Sequence, residues 1–429
     1  MGGTAEDAPA PPVSRFATRL PALASPVYRR FLTAAFVGNI GAWMGTTAQG
    51  WLVLGLTDSP AALGLTSAAG TAPVLFLSLL AGVLADRLDR RRILVGAQLV
   101  GAAIALGLAV LTTTGTVAYW HVVVLAALAG SATALAMPTF QAIVSTLVPR
   151  AVIGNAVALN AAQFNLSRIL GPVAAGLAIA AGGLAVAFWV NAAALLIVAA
   201  VLVRLPLSSA AEFVRAESSL WSNLIDGLRF VRADRTIAVL LVLAAVPGVF
   251  LLNYLVLLPV YARDILDIGA GGLGLLTASI GVGALIGALA VALLRPGGGS
   301  GRLLLIGLVV ASLALTAFGL STWLPLSILS LAVLGASQVA YYATTNTLLQ
   351  VIVPARLRGR VLSLYILTSW GAIPIGNLLA GTVAERFGAP SALAGGGLVT
   401  LFVAAVVALA YRPLRIVHAD PSRARVRAR

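Results

Sequence analysis

The chain has 429 residues, of which 60% are hydrophobic and 10% charged, against about 25% charged in a soluble domain. So much apolar sequence excludes an ordinary water-soluble core and makes lipid the solvent for most of the chain. Cysteine is absent, which excludes disulfides, iron–sulfur ligation and thiolate metal sites; His121 and His418 alone make a histidine metal centre an equally poor reading. Lysine is absent too, so the net charge of +15 comes from arginine, and its placement argues for a membrane rather than nucleic acid.

Residues 1–30 are rich in Ala and Pro, with Glu6 and Asp7 where a signal peptide would carry positive charge. They read as a cytoplasmic tail with a short interfacial helix around Pro26–Phe31. Twelve stretches then meet the length of about 20 apolar residues that a spanning helix needs. In the first half they run over 32–57, 61–85, 93–113, 120–148, 154–180 and 184–203. In the second they run over 236–261, 272–294, 303–321, 325–352, 361–384 and 390–411. With the N-terminus inside, all the loop and tail arginines except Arg263 and Arg386 fall on the cytoplasmic side, and Arg168 lies within the fifth span. The positive-inside rule then places both termini in the cytoplasm. The basic end of the chain, Arg423 to Arg429, reads as a tail held near anionic lipid.

The longest polar stretch divides the spans six and six. This gives the expected organisation: a tail over 1–30, a half over 31–204, a linker over 205–235, a half over 236–412 and a basic tail over 413–429. Within the linker, Leu220–Ile237 alternates charged and apolar residues and predicts an amphipathic helix on the cytoplasmic face. The halves match without gaps at an offset of 205 residues: Pro149 with Pro354, Gly154 with Gly359, Gly171 with Gly376, Gly176 with Gly381 and Gly183 with Gly388. Parallel halves related by an axis along the membrane normal are one transporter design. The fold class expected is all-α and integral to the membrane, with twelve helices in two pseudo-symmetric halves.

At the inner end of the second span stands Gly82-Val-Leu-Ala-Asp86-Arg87-Leu-Asp89-Arg90-Arg91-Arg92. It resembles the signature G-x-x-x-D-R-x-G-R-R of the major facilitator superfamily, with Gly82, Asp86, Arg87, Arg90 and Arg91 on motif positions and Asp89 in place of the second glycine. The resemblance implies a gate, in which Asp86 pairs with arginine or meets the N-terminus of a neighbouring helix; a plain positive-inside loop is the other reading. Before the eleventh span, Pro354-Ala-Arg-Leu-Arg358-Gly359-Arg360 is similar to a bacterial exporter branch of the superfamily, which includes the enterobactin exporter and drug and macrolide efflux proteins. Gly171-Pro172-Val-Ala-Ala-Gly176 in the fifth span is similar to an element of its antiporters. This resemblance implies conformational roles for Gly171, Pro172, Arg358, Gly359 and Arg360. It also implies an amphipathic small-molecule substrate, a proton as coupling ion, a monomer and a bacterial plasma membrane.

Arg168 is the sharpest single residue, because a charge near mid-membrane must face a cavity or a partner. Asn160 and Gln163 share its helical face. Two readings stay open: a polar cavity stripe that contacts substrate, or bonds to neighbouring helices. Other candidate cavity residues are Asn39 and Trp43 (first span), Gln141 (fourth), Asn253 and Tyr254 (seventh), and Gln338, Tyr342 and Asn346 (tenth). The superfamily lines its central cavity with these four spans. No acid lies deep in a span; Asp58, Asp86 and Glu385 are weak candidates for a proton carrier. No phosphate loop, nucleophile–base pair or metal-ligand cluster is present, so neither an enzyme nor a cofactor is expected. An importer or lipid flippase of the same fold, a pore, and a non-transporting scaffold or sensor are the alternatives.

Overall fold

The computed structural model describes residues 20–87, 89–206, 220–293 and 300–416. Residues 1–19 of the tail expected at 1–30, 207–219 of the linker and 417–429 of the tail expected at 413–429 lie outside them. Six long helices make the first half: α1 (Pro26–Thr57), α2 (Pro60–Arg87), α3 (Arg90–Thr113), α4 (Tyr119–Thr146), α5 (Ile153–Gly182) and α6 (Leu184–Arg204). The surface helix α7 (Leu220–Ala233) follows. The second half comprises α8 (Arg235–Phe250), α9 (Tyr254–Val260), α10 (Gly269–Leu293), α11 (Ser300–Leu320), α12 (Leu324–Ile352), α13 (Ala355–Phe387) and α14 (Ala389–Ala410), with a last turn, α15 (Pro413–Ile416).

Short polar residues set the starts. Ser25 Oγ accepts from Tyr28 N at 3.2 Å and Pro26 sits in the first turn, so the expected interfacial helix is instead the beginning of an unbroken α1. Asp234 Oδ1 accepts from Thr236 N at 2.8 Å and Ile237 N at 3.3 Å to start α8. Among the described residues eleven segments are long and apolar enough to cross a membrane, ten of them single helices and one the run Arg235–Ile265 that holds α8 and α9. The exception is α1, whose apolar run is diluted by Asn39, Thr46, Thr47 and Gln49. It nevertheless lies between two spans. Its Tyr28 hydroxyl donates to Ala156 O of α5 at 2.7 Å, and Gly38, Gly41 and Gly45 pack on Val198, Ala194 and Asn191 of α6.

The 205-residue repeat is a structural repeat. Gly183 and Gly388, both at φ +83°, end α5 and α13, a conformation that favours glycine. Gly171 of α5 lies against Ile40 and Trp43 of α1, and its counterpart Gly376 of α13 lies against Gly248 and Val249 of α8. Gly176 meets α10 and Gly381 meets α2, so each half presents the same glycine to the other.

The buried core shows how the halves are disposed. At the end that carries few arginines, one core crosses between them and includes Leu52, Leu54, Leu63 and Phe188 together with Tyr254, Tyr261, Leu276 and Phe318. At the Arg-rich end the described residues form two separate cores. One holds Tyr28, Phe31, Leu94, Ile143 and Leu202 of the first half; the other holds Ile237, Leu240, Leu308, Tyr341 and Leu364 of the second. Among the described residues the core joins the halves at the Arg-poor end and is divided between them at the Arg-rich end.

The seventh span differs from its expected form. Rather than one helix over 236–261, α8 stops at Phe250, α9 restarts at Tyr254, and a π turn covers Tyr261–Ile265. Proline lies on both sides of the break, Pro247 in α8 and Pro259 in α9. Pro247 has no N–H for Leu243 O, and the Tyr341 hydroxyl donates to that carbonyl instead, at 2.5 Å. Tyr341→Phe is therefore expected to cost roughly 1 kcal/mol of unfolding free energy. In a Pro247→Ala background, where the helix regains its own donor, the same change is expected to be nearly silent. Thermal unfolding of the four proteins in detergent measures this coupling, and equal losses in both backgrounds would rule out the assignment.

Candidate functional site

Four of the expected cavity residues, Trp43, Arg168, Tyr254 and Gln338, come together between the halves. Arg168 of α5 donates from Nη2 to the Tyr254 hydroxyl of α9 at 3.3 Å. Tyr254 in turn donates to Gln338 Oε1 of α12 at 3.3 Å. The Arg168 guanidinium stands 5.9 Å from the centre of the Trp43 ring of α1, a cation–π distance. The Phe164 ring meets Trp43 edge-on at 6.3 Å. One arginine thus ties α1 and α5 of the first half to α9 and α12 of the second. The break after α8 is what lets α9 present Tyr254, wholly buried, to the other half.

A second set stays within the first half. Asn39 Nδ2 donates to Gln163 Oε1 and Gln163 Nε2 to Asn160 Oδ1, each at 3.2 Å. This chain fixes the α1–α5 pair beside Arg168. Asn253 Nδ2 reaches Val249 O at 3.1 Å and Gly376 O at 3.5 Å, so it holds the broken span to α13. Tyr342 packs edge-on against Tyr341 at 4.9 Å. Asn346 is exposed toward the Arg-rich end and accepts from Gln350 at 2.7 Å. The Gln141 side chain lies outside the described residues. Sequence reasoning missed Phe164, because an apolar ring in a spanning helix does not stand out; its place one turn before Arg168 was the available signal.

Gly171 faces α1 within the first half, and Pro172 faces the second half. A Cβ on Gly171 would come within 2.9 Å of Ile40 O. The carbonyl of Pro172 lies against Gly274 of α10, where a Cβ would be 2.7 Å away. The side chains of Gly82, Asp86 and Arg87 fall outside the described residues. Next to them, Asp89 occupies the N-cap of α3, with Oδ1 accepting from Arg91 N at 2.7 Å; that is the use made of the departure from the motif glycine. Arg91 bonds Leu205 O at the end of α6, and Arg90 lies in the same first turn. In the second half, Arg360 pairs with Asp226 of α7 at 2.8 Å, whereas Arg358 and Gly359 are exposed.

The closed end has polar ties of its own. Arg263, one of the two arginines at this end, binds Asp58 at 2.6 Å and Leu54 O at 3.2 Å across the halves. Glu385 of α13 accepts from Ser59 Oγ at 2.8 Å and Ala61 N at 3.2 Å, capping the N-terminus of α2 in the opposite half. Asp58 and Glu385, weak candidates for proton carriers by sequence, are interface groups in this arrangement. Such exposed ties contribute about 0–1 kcal/mol each. Arg263→Ala or Glu385→Gln alone is therefore expected to change transport less than about threefold. The double variant is expected to separate spin labels across the closed end measurably, and an unchanged distance distribution would count against the latch.

Comparison with known proteins agrees with this architecture. A solved structure of the nucleoside transporter NupG superposes with a TM-score of 0.74 at 15% identity, covering 91% of this chain and all of that one. The multidrug efflux pump Tap of Mycolicibacterium fortuitum is 30% identical over 83% of this chain and 89% of its own. The enterobactin exporter EntS of Shigella flexneri is 26% identical over 91% and 93%. The family model described as transmembrane secretion effector matches residues 17–427. The chain belongs to this transmembrane secretion effector family, a branch of the major facilitator superfamily of membrane transporters.

Proposed function

We propose that the protein is a proton-coupled antiporter that exports an amphipathic small molecule, of drug, macrolide or siderophore type, by alternating access. The Arg-rich end faces the cytoplasm of a bacterial cell, with both termini there, so the parted end opens inward and the closed end seals the outside of the plasma membrane. One monomer suffices, because the cavity is built within one chain. The observation that carries this reading is the Arg168–Tyr254–Gln338 bridge, which joins the two halves where the inward cavity ends. A site that touches both halves can bias their relative position when it fills. That Tap is an efflux pump and EntS an exporter supports the outward direction. In the outward-facing state the Gly82–Arg92 segment and Arg358–Arg360 close the inner side, with Asp86 as the pairing carboxylate.

The test is efflux of labelled macrolides, drugs and siderophores from bacterial cells lacking their own exporters, with and without a protonophore. Export that stops with the protonophore, and falls at least tenfold in Asp86→Asn at unchanged membrane level, is the expected result. Flux that ignores the protonophore, or net accumulation, would overturn it.

A further inference from the structure

The donors at the cavity end identify the charge of the cargo. Arg168 makes no ion pair among the described residues: the pairs formed there are Arg229 and Arg360 with Asp226, and Arg263 with Asp58 and Asp264. The other acids whose side chains are described, Asp89, Asp234, Asp267 and Glu385, lie at helix ends or in turns. The partners of Arg168 are all neutral: a tyrosine oxygen and an indole face. Its Nε is buried with no acceptor, and so is Nε2 of Gln338. Both residues bond the same Tyr254 hydroxyl, at 3.3 Å each, so the two free donors belong to one cluster. The Tyr254 oxygen already accepts from Arg168 Nη2 and its hydrogen goes to Gln338 Oε1, and neither Arg168 Nε nor Gln338 Nε2 finds an acceptor. Around these donors stand the rings of Trp43, Phe164 and Tyr254, with Phe164 46% exposed.

An uncompensated cation in a low-dielectric site attracts an anion and repels a second cation by the same Coulomb law. Unmet donors are satisfied by an oxyanion and by nothing a cationic amine offers. We infer that the site takes an amphipathic organic anion with an aromatic body, its carboxylate, phenolate or sulfonate oxygen set between Arg168 and Gln338, and that it disfavours cationic drugs. This inference rests on the exporter reading for the direction of movement only; the charge preference stands on the site.

The test uses two xanthene dyes of similar size and opposite charge, fluorescein and rhodamine 123, with the purified full-length protein. Equilibrium dialysis in detergent is expected to show fluorescein bound at least tenfold more tightly. Arg168→Gln is expected to weaken fluorescein binding about 10- to 100-fold, the loss of one charge-assisted contact, and Arg168→Glu to reverse the preference in favour of rhodamine 123. Arg168→Lys, which keeps the charge and loses the fork, is expected to retain the preference at reduced affinity, and it serves where Arg168→Glu does not fold. Equal binding of the two dyes by the wild type, or a preference unchanged in Arg168→Gln, would overturn the inference. Proteoliposomes under a pH gradient separate the two readings. Fluorescein that binds but is not moved would sink the exporter reading alone, and rhodamine 123 moved without fluorescein binding would sink the anion site alone.

Discussion

Gly381→Leu is expected to reduce transport below about 1% of wild type while leaving a folded, membrane-inserted protein. Gly381 of α13 faces α2 of the opposite half, and a Cβ there would lie 2.7 Å from Pro60 O, 2.9 Å from Gly64 Cα and 3.2 Å from Ala61 Cα. All three are backbone atoms, so no rotamer change relieves the contact. A Cβ added to Gly64 of α2 would in turn lie 2.5 Å from Asn377 O, one turn before Gly381 on α13, so the two helices meet backbone to backbone here. Overpacking costs typically about 1–3 kcal/mol for small additions, and a whole isobutyl group against backbone exceeds that. A shift of about 5.5 kcal/mol turns a 99:1 equilibrium into 1:99. Because the clash arises only when the Arg-poor end closes, the variant is expected to rest with that end open, and a spin-label pair across it reports the change. Wild-type transport by Gly381→Leu would show that this closure is not part of the cycle.

Gly283→Leu is expected to do the opposite: no folded protein. Gly283 of α10 packs on the backbone of Ala332 in α12, and Gly287 and Gly335 repeat the contact at Ala336 and Ile280. Both helices belong to the second half, so no rocking of the halves relieves the strain. In lipid, close approach of small residues is itself a main source of helix association. Loss of the monodisperse peak in detergent size exclusion is the expected result. A well-folded Gly283→Leu would mean that α10 and α12 can separate without cost. The pair of variants divides the glycines by role: one joins moving bodies, the other joins helices within a body.

Much of this arrangement could be read from the chain. Glycine and proline matches at a fixed offset carried the repeat; an added Cβ would meet a neighbouring helix's backbone at Gly171 and Gly376 and at Gly176 and Gly381, and Gly183 and Gly388 both stand at φ +83°. Arg168 stood out because a charge in a span needs a reason. The break in the seventh span was less visible. Pro247 and Pro259 both signalled it, but proline is tolerated in spanning helices, and only the Tyr341 hydroxyl shows how the freed carbonyl is met. The ties at the closed end were hidden for another reason. Arg263, Asp58 and Glu385 are far apart in sequence and belong to no motif, so only the three-dimensional closure brings Arg263 to Asp58 and Glu385 to the start of α2. The first span is legible at 32–57 despite the polar residues that dilute it, and that polarity supplies Asn39 beside Gln163.

The absence of native cysteine makes one measurement direct. Spin labels on the exposed pair Arg150→Cys and Arg356→Cys report the Arg-rich end, and labels on Trp120→Cys and Trp323→Cys report the other. Pulsed dipolar spectroscopy in proteoliposomes, with and without transported substrate and a pH gradient, compares the two distances. Alternating access requires that they change in opposite directions, the first shortening as the second lengthens. Two distances that stay fixed during measured transport, or that lengthen together, would contradict it.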